Sequence, residues 1–204
     1  MNSKEIEKGT YHIYSGDKRM AALIDRIGVC GLKPKKDYYV ALLRAIVGQQ
    51  LSVLAAASIY KKFLNGFEGD PAPEKILRAH HEELRSYGLS NAKVKYVKDL
   101  SEKLISGRIN FNGIKKKSDE DIIKELTVVK GIGEWTAHMF LIFTLNRLNV
   151  LPTADLGLRK AVKNVYNLRS LPDEKKLRRI SAGNGWQPYN SIASWYLWES
   201  LELD

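Results

Sequence analysis

Residues 128–138 are VVKGIGEWTAH, and this short stretch decides how the surrounding chain is interpreted. Gly131 and Gly133 flank a single apolar residue, Ile132, directly before a segment with helical spacing. Glycine permits positive φ angles and leaves room for another molecule to approach the backbone. The helix that follows would present unpaired N–H groups and the positive end of its dipole. The stretch therefore predicts a phosphate-binding turn, with a simple helix–helix connection as the alternative, and Ile132 is expected to anchor the turn in the core.

The charge of the chain favours an anionic partner. Of 204 residues, 33 are Lys or Arg and 23 are Asp or Glu, which gives a formal net charge of +10. A nucleic-acid backbone fits this excess, although a basic protein with solvated lysines would have the same composition. We therefore treat nucleic acid as a candidate partner that motifs must support.

Composition excludes several other classes. A single cysteine, Cys30, cannot form an internal disulfide or supply a zinc or iron–sulfur site built from several cysteines. We expect Cys30 to be a small buried residue. The N-terminal segment is too polar for a signal peptide, and no apolar run approaches the roughly 20 residues of a membrane span. These features predict a soluble intracellular protein of a bacterial or archaeal cytoplasm, or of a nucleus.

Apolar residues recur at helical spacing along most of the chain, and no alternating strand pattern spans more than a few residues. Asp17, Asp37 and Ser118 are expected helix N-caps. The later helices are expected at 134 to about 146, at 154 to about 166, after Pro172-Asp173, and from Pro188. The pattern predicts an all-α fold of roughly ten helices.

A carboxylate follows the glycine turn by some twenty residues. Asp155 lies in LPTADLGLRKAV, just after a proline and near a predicted helix start. A helix N-terminus favours negative charge, so Asp155 is a candidate functional group. Its alternative role is that of a simple N-cap.

Four segments together resemble a known family. LTVVKGIGEWTAHMFLIF and LPTADLGLRKAV are similar to the helix–hairpin–helix DNA glycosylases. YYVALLRAIVGQQLSVLAAASIYKKF and WQPYNSIASWYLWESL resemble their 3-methyladenine DNA glycosylase II (alkylation-repair) branch. The resemblance covers residues from about 20 to the end. It implies two helical lobes, approximately 32–150 with the hairpin and 1–31 plus 151–204, with a DNA-binding cleft between them.

The resemblance implies a monofunctional DNA glycosylase of base excision repair. Such an enzyme hydrolyses the N-glycosidic bond of flipped alkylated purines, such as 3-methyladenine and 7-methylguanine, and leaves an abasic site. Asp155 matches the catalytic aspartate, which stabilises positive charge on the deoxyribose. Trp135 replaces the Schiff-base lysine of bifunctional relatives, so no lyase activity is expected. The alternatives are a non-catalytic protein that binds DNA structure or damage, and a glycosylase for deaminated or oxidised bases.

The base pocket is also assigned by resemblance. Trp135 and Trp198 match aromatic walls of the pocket, and Met139 follows Trp135 by one helical turn. Aromatic faces attract the cationic alkylated purines through stacking and cation–π interactions. Trp195 matches no pocket position and is expected in the core.

The remaining roles concern DNA and a possible ion. The amides of Gly131 and Gly133 are expected to hold the DNA backbone. Three side chains complete the predicted DNA-binding set, namely Lys130, Gln49 and Gln50, with Gln50 as the candidate that fills the gap left by the flipped base. Backbone carbonyls of the hairpin are expected to hold a structural K⁺ or Na⁺, at Thr127, Val129 and Ile132. No cofactor is expected to be required, and the partner is double-stranded DNA bound by a monomer.

Overall fold

The computed structural model describes residues 3–33 and 37–203, and within these ranges the regular structure is entirely helical. The helices are α1 (Ser3–Gly16), α2 (Lys18–Ile27), α3 (Tyr38–Gly48), α4 (Val53–Gly66), α5 (Pro73–Arg78), α6 (His81–Ser86), α7 (Asn91–Ile105), α8 (Asp119–Thr127), α9 (Glu134–Phe143), α10 (Leu156–Val165), α11 (Glu174–Gly183) and α12 (Asn190–Glu199). Two short 3-10 helices occur at Ile114–Lys116 and Ser200–Glu202. The predicted all-α fold is confirmed, with more helices than the expected ten.

The N-caps found by sequence are observed. Asp17 accepts the N–H groups of Arg19 and Met20 at the start of α2. Asp37 begins α3, and Ser118 begins α8 through the N–H of Asp121. These short polar side chains satisfy N–H groups that have no partner within the first helical turn.

Three helix boundaries differ from the prediction because tight turns precede or end the helices. α9 ends before Asn146, which adopts a left-handed φ of 53°. A turn from Pro152 to Asp155 delays the start of α10, and a turn from Trp186 to Tyr189 delays α12 beyond Pro188. α1 was not predicted, because its sequence is polar except at a few positions that pack in the core.

The contacts between residues group the chain into two compact units. The terminal unit comprises the described residues of 1–34 and 141–204, and the central unit comprises those of 35–140. The sequence placed these boundaries near 31/32 and 150/151. Neither unit contains, among the residues described, a helix long and apolar enough to cross a membrane.

The terminal unit is organised around α12, which packs against α1, α2 and α10. Gly9 lets α1 approach closely, since a Cβ there would lie 2.4 Å from Cδ1 of Ile192. Trp186 is fully buried and donates its Nε1–H to Asp17 at 3.0 Å. Cys30 is also buried, as expected, and burial raises its pKa to about 11.

The central unit is organised around α7, which packs against α3, α5 and α6. Its core includes Leu42, Ile46, Phe63 and Val97, all fully buried. Apolar burial of this kind stabilises each side chain by about 1.5–3 kcal/mol relative to exposure. Asp99 of the same helix accepts the backbone N–H of Lys130 in the turn between α8 and α9.

Candidate active site

The hairpin turn, residues 128–133, joins α8 to α9 and has the features expected of an anion-binding turn. Ile132 is 3% exposed, and its N–H donates to the carbonyl of Val129 at 3.0 Å. The apolar residue between the glycines therefore anchors the turn in the core, as predicted. The amides of Gly131 and Gly133 donate to no acceptor in the described part of the chain. They adjoin the N-terminus of α9, where backbone N–H groups favour a phosphate.

Both the backbone conformation at position 131 and the neighbouring atoms require a glycine there. Its φ is +82°, in the left-handed region that side chains with a Cβ rarely adopt. A Cβ at this position would lie 2.2 Å from Cδ2 of Tyr96 on α7. Gly133, by contrast, has open space around its Cα. The two glycines of the motif thus serve different purposes.

A buried carboxylate on α7 fixes the middle of the hairpin turn. Asp99 is 7% exposed and accepts the backbone N–H of Lys130 at 2.8 Å. Its second partner is the Nζ of Lys103 at 2.6 Å, and the exposed ammonium of Lys130 lies 3.6 Å from Oδ1. Burial opposes ionisation, but the hydrogen bonds from Lys103 and Lys130 outweigh it and lower the pKa of Asp99. Asp99 therefore holds the turn as a carboxylate.

The loop between α3 and α4 contacts the same turn. The Nε2 of Gln49 donates to the carbonyl of Gly131 at 2.7 Å. Lys93 on α7 donates to the carbonyls of Val47 and Gln49 at 2.7 and 2.8 Å. Gln50 is exposed and has a left-handed φ of 57°. Of the two glutamines, one is therefore bound to the hairpin turn and the other projects outward.

A cavity of about 790 Å³ opens beside this loop in the central unit. Trp135 and Met139 line it together with Gln50 and Gly131. Trp135 is 49% exposed, whereas Met139 is half-buried. An aromatic face and a polarisable thioether in one open cavity suit a flat, electron-poor ligand.

In the terminal unit, Asp155 is the N-cap of α10, as its sequence position suggested. Its Oδ1 accepts the backbone N–H of Leu158 at 2.5 Å. The same oxygen accepts the Nε1–H of Trp198 at 2.8 Å. Capping is thus only part of its environment, because the tryptophan bond fixes the carboxylate from a second direction. The side chain of Asp155 is half-buried.

Two further residues shape the surroundings of Asp155. The ring of Phe143 lies 5.6 Å from that of Trp198, at 32° between planes. A Cβ at Gly157 would lie 3.2 Å from Oδ1 of Asp155 and 3.5 Å from Cδ1 of Trp198. Gly157 therefore leaves room for the Asp155–Trp198 bond. Trp195 instead packs on Gly31 within the terminal unit.

The predicted cation ligands extend from the end of α8 at Thr127, through Val129, to Ile132 near the end of the hairpin turn. Thr127 ends α8, and the carbonyl of Val129 already accepts one backbone N–H, which leaves it a second lone pair. Carbonyl oxygens are suitable ligands for hard cations. The described residues contain no group of three or more His, Cys, Asp or Glu side chains able to hold a metal ion. A cation here would depend on backbone oxygens.

Sequence reasoning missed five residues that shape these sites. Lys93, Tyr96 and Asp99 are spaced by three along α7, so they share one face of the helix. That spacing was visible, but nothing in the sequence indicated that this face meets the hairpin turn. Phe143 and Gly157 carry no local signal, because their importance depends on Trp198, roughly 40 to 55 residues further along the chain.

Comparison with known proteins agrees with this geometry. The family model described as "HhH-GPD superfamily base excision DNA repair protein" matches residues 43–185. The chain belongs to the HhH-GPD superfamily. The matched HhH-GPD region includes the α3–α4 loop, the hairpin turn and Asp155, and it ends before Trp198.

Individual HhH-GPD relatives match nearly the whole chain. The alkylbase DNA glycosidase-like protein mag2 of Schizosaccharomyces pombe is 30% identical over 98% of this chain and 95% of its own length. DNA-3-methyladenine glycosylase 1 of the same yeast is 32% identical, over 97% and 89%. The solved structure of S. pombe 3-methyladenine DNA glycosylase (Mag1) in complex with abasic DNA has a TM-score of 0.87 at 33% identity, covering 96% of this chain and 97% of that one.

Proposed function

We propose that this protein is a monofunctional DNA glycosylase of base excision repair. It hydrolyses the N-glycosidic bond of alkylated purines in double-stranded DNA, acts as a monomer and leaves an abasic site. The names of its HhH-GPD relatives support a 3-methyladenine glycosylase, and one solved relative is bound to abasic DNA. The observation that carries the proposal is the bond between Asp155 and Trp198.

Asp155 has the chemistry that this reaction needs. A carboxylate stabilises positive charge as the deoxyribose approaches an oxocarbenium ion. The N–H groups of Leu158 and Trp198 converge on its Oδ1, so the carboxylate is oriented before substrate arrives. A side chain that served only as an N-cap would not need the second bond.

The reaction is a hydrolysis. The bond between C1′ and the purine nitrogen breaks, and its electron pair moves to the base, which neutralises the positive charge of the alkylated purine. The oxygen of a water molecule then bonds to C1′ and releases a proton to the carboxylate or to solvent. An alkylated purine is already an activated leaving group, so little acid catalysis is needed.

Trp135 and Met139 are the proposed contacts of the flipped base in the central unit, and Trp198 is a proposed base-pocket residue of the terminal unit. The exposed face of Trp135 in its cavity supports stacking on a cationic purine, and Met139 offers a polarisable neighbour. Trp135 has no amine, so it cannot form the Schiff base that strand cleavage by a bifunctional glycosylase requires. We therefore propose that water is the nucleophile and that the product strand stays intact.

The hairpin turn is the proposed grip on the DNA backbone. The amides of Gly131 and Gly133 supply donors for a phosphate, and the exposed Lys130 adds positive charge. Gln50 is exposed, and its proposed role is to fill the gap left by the flipped base. A K⁺ or Na⁺ bound by the carbonyls of Thr127, Val129 and Ile132 would add charge beside the phosphate; no other cofactor is proposed.

The test is release of free base from duplexes that contain 7-methylguanine or 3-methyladenine. The wild-type protein is expected to release the methylated base and to leave alkali-labile sites without cutting the strand. Asp155→Asn should lower the single-turnover rate by roughly 100–1000-fold. Its affinity for abasic DNA should stay within about tenfold, which corresponds to roughly 1.4 kcal/mol.

Asp173→Asn is the matched control. Asp173 caps α11 through the N–H of Lys176 at 2.7 Å, in the same way that Asp155 caps α10. It has no assigned role in catalysis, so its variant should release base at the wild-type rate. If Asp155→Asn and Asp173→Asn lowered the rate of base release equally, Asp155 would be only a structural cap and the proposal would lose its basis.

Two other functions are decided by the same assay. Tight binding to abasic DNA without any release of base would identify a damage-binding protein instead, and one matched relative is named only "glycosidase-like". Faster release of hypoxanthine or 8-oxoguanine than of 7-methylguanine from otherwise identical duplexes would assign the enzyme to deaminated or oxidised bases.

A further inference from the structure

We propose that Lys93 and Gln49 position Gln50 for entry into the DNA duplex by joining the α3–α4 loop to the hairpin turn. Neither residue need contact DNA for this purpose. The inference rests on the proposed glycosylase function, and it reassigns Gln49 from a DNA contact to a positioning residue. Its basis is a continuous set of hydrogen bonds within the central unit.

Lys93 holds the end of α3. Its ammonium donates to the carbonyls of Val47 and Gln49, which belong to the last turn of α3 and to its C-cap. A positive charge at a helix C-terminus satisfies carbonyls that lack partners within the helix and interacts favourably with the dipole. Lys93 is half-buried, and this burial lowers its pKa. The ammonium of Lys93 is therefore bonded within the protein and is not a purely solvated surface charge.

Gln49 continues this connection to the hairpin turn. Its backbone carbonyl accepts from Lys93, while its side-chain amide donates to the carbonyl of Gly131 at 2.7 Å. The amide of Gly131 is one of the proposed phosphate donors. The carbonyl of Gly131 therefore binds the α3–α4 loop, and the N–H of the same residue is proposed to bind DNA.

Gln50 needs this external support. Its φ of 57° lies in the left-handed region, which costs an L-amino acid about 1–2 kcal/mol. An exposed loop residue would relax from this conformation if its neighbours did not impose it. The bonds from Lys93 and Gln49 fix the residue immediately before Gln50. They thereby direct the exposed side chain that is proposed to replace the flipped base.

The experiment compares Lys93→Met with Lys98→Met. Lys98 also lies on α7 and also donates to two carbonyls, those of Leu77 and Ala79, at the end of a different helix. Both variants remove a half-buried ammonium with two backbone partners, so their losses of stability should match. Only Lys93→Met should impair base excision.

The measured quantity is the single-turnover rate of 7-methylguanine release from two duplexes. In one the lesion pairs with cytosine, and in the other it faces a mismatched base. Lys93→Met should slow release from the paired lesion by roughly tenfold to a hundredfold, from the loss of charged hydrogen bonds. The defect should shrink with the mismatch, because an unpaired base is easier to flip. Lys93→Arg, which keeps the donors, should restore most of the paired rate.

Three outcomes overturn the inference. Equal rates for Lys93→Met and Lys98→Met would show that positioning of the loop by Lys93 is unimportant. A defect of the same size on both duplexes would place Lys93 in a general folding role. If Lys93→Met weakened binding to both duplexes equally and lowered the salt dependence of the affinity by the amount expected for about one phosphate contact, Lys93 would be a direct DNA contact. Absence of base release by the wild-type protein would instead refute the proposed function itself.

Discussion

Replacing Gly131 by alanine tests whether the hairpin turn is shaped by its contact with α7. The substitution adds one methyl group at a residue whose φ is +82°. That methyl carbon would lie 2.2 Å from Cδ2 and 2.5 Å from Cε2 of Tyr96. Both distances are far below van der Waals contact, so either the ring or the turn must move.

The magnitude follows from three contributions. A left-handed φ costs an alanine about 1–2 kcal/mol relative to glycine. Overlap with a packed ring adds about 1–3 kcal/mol. The lower entropy of the unfolded chain offsets about 0.4–1 kcal/mol of this. We expect Gly131→Ala to lower the free energy of unfolding by about 1–5 kcal/mol.

Gly133→Ala is the matched control in the same motif. A Cβ at Gly133 meets no atom within 4 Å, and no left-handed φ is required there. Its free energy of unfolding should stay within about 0.5 kcal/mol of the wild type. Its affinity for abasic DNA should nevertheless fall, because the proposed phosphate approaches this amide. Urea unfolding and fluorescence anisotropy with an abasic duplex measure the two quantities.

Tyr96→Ala separates the two causes of the Gly131→Ala loss. In the double variant the ring is absent, so only the backbone contribution should remain. The double-mutant cycle should therefore show a favourable coupling of about 1–3 kcal/mol. A coupling near zero, or an unchanged stability of Gly131→Ala alone, would refute the conclusion that Tyr96 excludes a side chain from this position.

Two further variants test the carboxylates. Gly157→Ala should lower the rate of base release, because the added methyl group crowds Asp155 and Trp198. The free energy of unfolding should be unchanged or slightly higher, because alanine favours a helix more than glycine does. An unchanged rate of base release would show that the space at Gly157 is not needed. Asp99→Asn should remove part of the acid sensitivity of folding, measured as the free energy of unfolding between about pH 2 and pH 6. The pKa of Asp99 is lowered in the folded state. The stabilisation that the Asp99 carboxylate provides is therefore present above its unfolded pKa of about 3.9 and is lost as the pH falls through its folded pKa. Identical pH profiles for the variant and the wild type would contradict this.

The sequence was sufficient for the fold because helical signals are local. N-caps such as Asp17, Asp37 and Ser118 need only the residues that follow them, and all three were found correctly. α1 was missed because only Gly9 and Ile13 are buried in it, too few to produce a clear apolar face. Boundary errors arose where the chain forms a turn before a helix, as at Asp155.

The site was only partly predictable for the same physical reason. Asp155 and the glycines lie in a recognisable local motif, so their positions could be proposed from sequence. The bond between Asp155 and Trp198 joins residues 43 positions apart, and that between Gln49 and Gly131 joins residues 82 apart. No periodicity or spacing encodes such pairs. The prediction of Gln49 as a DNA contact consequently did not include the bond from its amide to the carbonyl of Gly131.

The glycines of the hairpin turn permit its shape but do not impose it, since glycine has access to many other conformations. The constraint comes from α7, where three residues at successive turns hold the end of α3 and two points of the hairpin turn. Lys93 binds the end of α3, Tyr96 packs against Gly131, and Asp99 binds the amide of Lys130. A transplanted KGIG turn without this helix face would keep the motif and lose its geometry. The geometry of the motif therefore depends as much on a helix some thirty residues earlier in the chain as on the motif itself.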